Sequence, residues 1–385
     1  MAQTLTAQTT AWRDPKKYLW LFGLTVPLMP FAGAALARST GLDVFWFFTP
    51  IFIYGLVPLL ELLLGEDAAN PPDDAIAELE GRRYYRVAVW AFIPLQYIAL
   101  IWGAALFAGG ELSIVAAIGL VWSIGMIGGA GINAAHELGH KREGVDRWLS
   151  RIALAQVAYG HFYVEHNRGH HRNVATPTDP ASSRLGESIY RFWPRTVIGS
   201  LRSAWQLEKE RLARRGKGPL SLENENIRAW LLTALLFGAL TIAFGWPVLP
   251  FLAVQAVIGF TLLETVNYLE HYGLLRQRGP DGRFERCAPE HSWNSNYLVS
   301  NLLLYHLQRH SDHHAWPTRR YQALRDYPDA PQLPAGYATL LTLAWITPLW
   351  RRVMDKRVLA HYDGDIRRAN LEPARADALI ARYGR

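Results

Sequence analysis

The stretch VEHNRGHHRN carries His166, His170 and His171, and LQRHSDHH carries His310, His313 and His314. Read as helix, each triplet lies on one side, because residues four apart share a face. Imidazole is the commonest protein ligand for metal ions, and rings crowded beside arginines resist protonation. Two shorter motifs join them. HELGH sets His136 and His140 one turn apart, and NYLEHYG supplies His271. Alone, HELGH matches the pattern in which two histidines bind zinc and the glutamate acts as base. His271 alone reads as a capping or core residue. Two triplets on helical faces, however, are costly without a cation to bind, so the set points to metal.

Nine imidazoles exceed what one zinc takes, which is four positions or three plus water. They divide naturally as four and five around two ions. Imidazole suits iron, copper, nickel and zinc alike, so the donors do not choose the metal. Glu137, Glu165, Glu270 and Asp312 neighbour these histidines in sequence. They are expected to orient the rings by accepting the second N–H, or in one case to ligate directly. His161 reads as structural and His306 as an impostor more than a ligand. His291 reads as a loop residue and His361 as a surface one. Cys287 is the only cysteine, which excludes a disulfide framework, a paired-cysteine zinc site and a cysteine-held iron–sulfur cluster.

The elements that must carry these residues are apolar. Half of the 385 residues are hydrophobic and only 19% are charged, against the usual quarter. The surplus falls into runs of the length that crosses a bilayer core. Six spans are expected, at about Lys17–Ala37, Val44–Leu64, Val87–Ala108, Leu112–Ala135, Trp230–Val248 and Phe251–Glu270. Shorter apolar patches at Trp148–Phe162 and Ala338–Trp350, and the charged stretch SLRSAWQLEKERLARRG, read as helices on the interface or packed beneath the bundle. Gly125 and Gly129 have the small-residue spacing of close helix contact. The fold class is therefore all-α, a polytopic membrane protein with a His-rich helical cap, organised as one membrane domain.

Arg13, Lys16 and Lys17 precede the first span, Arg82, Arg83 and Arg86 follow the second, and 141–228 is strongly basic. The positive-inside rule then puts both termini, the metal site and the segments 141–228 and 272–385 in the cytoplasm. The Thr-rich start reads as lacking a cleavable signal peptide. The formal charge of +7 suits anionic lipid and an acidic protein partner rather than nucleic acid. Arg168, Arg172, Arg309, Arg319 and Arg320 are the candidate docking cations.

HELGHK, EHNRGHH, NYLEHYGL and LQRHSDHHA closely resemble the signature boxes of the integral-membrane alkane 1-monooxygenases, the AlkB-type alkane hydroxylases. The likeness runs from the first span to Pro317. More loosely, the chain is similar to membrane fatty-acid desaturases and xylene monooxygenases. The resemblance implies a non-haem centre of two iron ions on His136, His140, His166, His170, His171, His271, His310, His313 and His314. It implies electrons from rubredoxin, with a rubredoxin reductase upstream, and oxidation of n-alkanes by O2 to 1-alcohols. With Cys287 alone, the rubredoxin is a separate protein or lies beyond this chain. An alkane would enter sideways from the bilayer, and terminal selectivity would come from a pocket that aims one methyl at the metals. The competing readings are a membrane fatty-acyl desaturase or hydroxylase, an intramembrane zinc protease, and a metal transporter. The last needs ionisable groups along a mid-bilayer path, whereas Glu61 and Glu264 lie near span ends.

Overall fold

In hydrocarbon a backbone N–H or C=O has no water to bond, so long apolar runs close their hydrogen bonds internally as helix. The computed structural model describes residues 12–67 and 69–384, so the Thr-rich start lies outside them. Among the described residues there is no β-strand, only isolated bridges such as Glu66 with Tyr297.

The six expected spans are present. They are α1 (Leu19–Thr40), α2 (Asp43–Leu64), α4 (Arg83–Ala108), α5 (Ile114–Gly139), α9 (Glu225–Phe244) and α10 (Val248–His271). A short helix, α3 (Asp73–Gly81), sits between α2 and α4. The chain is an integral multi-pass membrane protein. Boundaries differ from expectation where local chemistry decides them. α9 stops at Phe244 because Gly245 takes a left-handed φ of 81° and Pro247 follows, a stop that glycine and proline make cheaply. α1 begins as a 3-10 stretch over Leu19–Leu28 containing Pro27, whose missing N–H breaks the regular ladder.

α5 is the central post, buried along much of its length. A Cβ on Gly125 would stand 2.6 Å from Cβ of Ile258, and one on Gly129 would stand 3.0 Å from the Gly259 carbonyl. The absent side chains let α5 and α10 meet backbone to backbone.

The remaining helices gather around the ends of these two. They are α6 (Gly144–Ala155), α7 (162–173), α8 (Ile189–Ala213), α11 (Leu298–Leu303), α12 (His310–Ala315), α13 (Tyr337–Ala344), α14 (Thr347–His361) and α15 (Ala376–Tyr383). α13 is the apolar patch expected beneath the bundle, and it packs against α2 and α10.

One charged group is placed differently from the sequence reading. Arg309 is 0% exposed and cannot dock a partner. Its guanidinium donates to the Asp67 carboxylate at 3.2 Å, to Asn296 at 3.0 Å and to the carbonyls of Asp67 and Leu324 at 2.7 Å each. A cation this deep is tolerable only with such a full set of acceptors. Lys16 pairs with the same Asp67 and lies 3.1 Å from His306 Nε2. Glu264, inside α10, accepts from Tyr159 at 2.7 Å, Thr196 at 2.8 Å and Asn267 at 3.1 Å, so it is a bonded core acid rather than a step in an ion path.

Candidate metal centre

His136 lies in the last turn of α5 and His140 caps it, His271 ends α10, and the two triplets sit on α7 and α12. The nine rings converge into two groups. His136, His140, His166, His171 and His313 form one, and His170, His271, His310 and His314 form the other, with the ligand atoms within 4.8 Å of one another in each.

The partition follows from helix geometry. Adjacent helical residues point about 100° apart. On α12, His310 and His314 therefore share a face while His313 turns to the other group. On α7 the chain adopts a π turn over His166–His170, and the His171 N–H bonds the His166 carbonyl. That i+5 closure brings His171 edge-on against His166, ring centroids 4.7 Å apart, and leaves His170 for the second group. The expectation that each triplet lies on one side is therefore not met, since His170 parts from His166 and His171, and His313 parts from His310 and His314. In a regular α-helix His171 would point away from His166.

Nε2 atoms meet at short range. In the first group His136–His313 is 2.9 Å, and His313–His171 and His171–His166 are each 3.1 Å. In the second, His314–His310 is 2.9 Å, and His170–His314 and His310–His271 are each 3.3 Å. Neutral imidazole carries one proton, so a run of facing Nε2 atoms cannot all be paired by hydrogen bonds. Two donors ~2.1 Å from one cation at right angles stand ~3.0 Å apart, which is the observed spacing. Burial, and then the neighbouring rings, hold His140, His166, His171, His310, His313 and His314 well below the ordinary imidazole pKa. They present lone pairs, and the donor set fits two metal ions.

The four carboxylates divide. Glu270 Oε2 lies 3.1 Å from His310 Nε2, the face that would meet a metal, and its Oε1 accepts the Tyr337 hydroxyl at 2.7 Å. Glu165 is buried with neither oxygen hydrogen-bonded, although Ser203 is near, and burial pushes its carboxyl up to about 7. A Cβ on Gly169 would come 2.4 Å from Glu165 Oε2, so glycine there makes room for this carboxyl.

Glu137 and Asp312 do not touch a ring. Glu137 pairs with Lys141 at 3.1 Å, and Asp312 binds Arg319 at 2.6 Å and the Arg325 N–H at 2.8 Å. Each is one residue from a histidine, and neighbouring positions on a helix do not face the same way. The acid that does orient a ring is Asp179, whose Oδ2 accepts His170 Nδ1–H at 2.9 Å. Burial lowers His170, but this carboxylate outweighs it and raises the ring. Nothing in the spacing marks Asp179. The only local signal is TDPASS, where Asp179 caps its own turn by accepting from Ala181 and Ser182.

Outside the two groups, His306 Nδ1 bonds the Tyr321 carbonyl at 2.8 Å and His161 packs edge-on against Tyr159. His291 joins Glu285 and Glu290 on a loop, and His361 packs on Tyr362. Of the candidate docking cations, Arg168 pairs with Glu208, Arg319 with Asp312 and Arg320 with Glu143. Arg172 is the exposed one.

A cavity leads to the rings from among the spans. Val26, Ile53, Val57, Met126, Ala130, Leu262, Leu263, Val266, Leu303, Ala338 and Leu341 line it, and His136, His166, His310, Phe162 and Glu270 also contribute to its wall. Its polar members mostly donate into the protein. Asn133 donates to the Leu304 carbonyl at 2.7 Å, Asn267 to Glu264, Ser300 to Glu61 and Tyr337 to Glu270. Thr49 keeps an unpaired hydroxyl. Such a wall suits a hydrocarbon and offers no cation to a carboxylate head group.

Residues 112–344 match the fatty acid desaturase family model. The chain is 46% identical over 371 residues to an alkane 1-monooxygenase of Ectopseudomonas oleovorans, covering 96% of this chain and 92% of that one. It is 44% identical to alkane 1-monooxygenase 1 of Alcanivorax borkumensis, covering 98% and 94%. It is 46% identical to an alkane 1-monooxygenase of Pseudomonas putida, covering 96% and 91%.

Proposed function

The chain belongs to the alkane 1-monooxygenase family, and from that premise we propose that it converts medium- to long-chain n-alkanes and O2 to 1-alkanols. The observation that carries this reading is the convergence of five and four imidazoles beside an apolar cavity. His136, His140, His166, His171 and His313 hold one iron, and His170, His271, His310 and His314 the other. Glu270, 3.1 Å from His310 Nε2, is the carboxylate that would stand beside the second iron. Two irons bound there supply the activation of O2 that an unreactive C–H bond demands.

The chain's own residues do the rest. The aliphatic wall binds the alkane by burial, at about 0.8 kcal/mol per methylene. That term is indifferent to which carbon reacts, so selectivity rests on the shape of the cavity that α1, α2, α5, α10, α11 and α13 enclose beside the rings, which delivers a chain end to them. Asp179 holds His170 by its Nδ1–H and so keeps Nε2 turned to the metal.

In this reading the chain is a single membrane domain of the inner membrane, with its termini, metal centre and segments 141–228 and 272–385 on the cytoplasmic side. Rubredoxin, reduced by its reductase, delivers electrons there; the basic segment supports that side.

The test supplies iron-loaded protein with reduced rubredoxin, labelled dioxygen and a mixture of n-alkane and fatty acid. Labelled 1-alkanol is expected. An alkene or hydroxy acid as the main product, or zinc retained without turnover, would overturn the proposal.

A further inference from the structure

Away from the histidines, α14 and α15 enclose a groove lined by Arg351, Arg352, Lys356, Arg375 and Arg382. One acid, Asp355, lies at its floor and is buried, accepting from Tyr272 at 2.9 Å and Tyr383 at 3.4 Å. Among the described residues none of the five cations has a carboxylate at ion-pair distance. Arg351 and Arg375 share the Gly186 carbonyl at 2.6 and 3.1 Å, and Arg351 Nε is buried without a partner. Five cations around one buried acid repel one another unless an anion joins them.

The approach to the groove is apolar. Trp345, Ile346 and Leu349 are 36%, 45% and 46% exposed, and Tyr190, 61% exposed, donates to the Trp345 carbonyl at 2.9 Å. The preceding helix, α13, packs against the spans α2 and α10, so this bare patch emerges beside membrane helices. Tryptophan and tyrosine with a polar tip favour that level of a bilayer. From Leu349 to Arg352 is ~4.5 Å along α14, and to Lys356 ~10 Å. Hydrocarbon-loving and phosphate-loving surfaces thus adjoin within the size of one lipid.

We propose that this groove binds the phosphate of an anionic phospholipid head group, with Trp345, Ile346 and Leu349 among the upper acyl carbons. Free phosphate shares the head group's chemistry but has no use for the apolar patch.

Native mass spectrometry of the whole protein from phosphatidylcholine nanodiscs containing phosphatidylglycerol tests this. The exposed cations are neutralised in R352Q/K356Q/R382Q and kept charged in R352K/R382K. Each exposed cation near an anionic surface contributes enough that losing three weakens phosphatidylglycerol retention about a hundredfold. The lysine variant is expected to retain it. Unchanged retention in the glutamine variant overturns the proposal. So does displacement of the lipid by millimolar inorganic phosphate, which would mark a free-anion site. A glutamine variant that loses polyglutamate peptide but keeps the lipid would mark a protein dock instead, and also refutes it.

Discussion

Ala130→Phe probes the cavity as the substrate's seat. Ala130 lines the cavity on α5 six residues before His136, about 9 Å along the axis, and the wall continues to Met126, about 6 Å farther. A phenyl ring at 130 closes that outer reach. A saturated C–C bond of about 1.5 Å advances an extended chain by roughly 1.25 Å per carbon, so 6 Å holds four or five carbons. At about 0.8 kcal/mol per methylene, losing four weakens binding by about 3 kcal/mol, or about two orders of magnitude in kcat/KM. Only alkanes long enough to pass Ala130 should suffer. The assay is a competition among n-alkanes of graded length, with alcohols quantified by gas chromatography and iron content and melting temperature measured in parallel. If long and short alkanes fall equally while iron and stability are intact, the cavity is not where the chain lies.

Asp179→Ala removes the acceptor of His170 Nδ1–H. Iron at the four-histidine group should weaken ten- to a hundredfold, so chelator dialysis followed by elemental analysis should leave close to one iron per chain; two would contradict the assignment. Arg309→Met strips the bonds that tie α12 to the loop at Asp67 and leaves several acceptors buried and unpaired, at a cost of about 3 kcal/mol; an unshifted thermal or denaturant transition would show those bonds to be idle. Burial pushes the Cys287 thiol up to about 11 from 9.0. A raised pKa means less thiolate below it, so alkylation by iodoacetamide at pH 8 should run about a hundredfold slower than at an ordinary thiol; rapid labelling would refute that environment.

The spans were legible because length and composition decide whether a segment can lie in lipid, and no tertiary detail overrides that. Their ends were less so: the Gly245 φ that stops α9 is a backbone state that composition does not announce. In the centre, the histidines stood out by type and spacing, and two groups of four and five were expected from their number. Which ring joins which group depends on the π turn at His166–His170, a hydrogen-bond register with no residue signature. Glu137 and Asp312 looked like ring partners because adjacency in a string is easily taken for adjacency in space; the roughly 100° between neighbouring helical positions sends them to Lys141 and Arg319. Asp179 was invisible because its partner lies on another element. Arg309 was misjudged because burial of a cation depends on acceptors drawn from Asp67, Asn296 and Leu324, far apart in the chain.

The cavity wall has a consequence for what leaves as well as what enters. A 1-alkanol carries a hydroxyl that the parent alkane lacked, and the donors of Asn133, Asn267, Ser300 and Tyr337 are already committed. Among the described residues that leaves the Thr49 hydroxyl as the one unpaired partner on an otherwise aliphatic wall. Stranding a hydroxyl among aliphatic side chains costs about 2 kcal/mol or more. The same surface that welcomes a hydrocarbon therefore grows inhospitable the moment the molecule is oxidised, and turnover is helped along by a chamber that prefers its feedstock to its product.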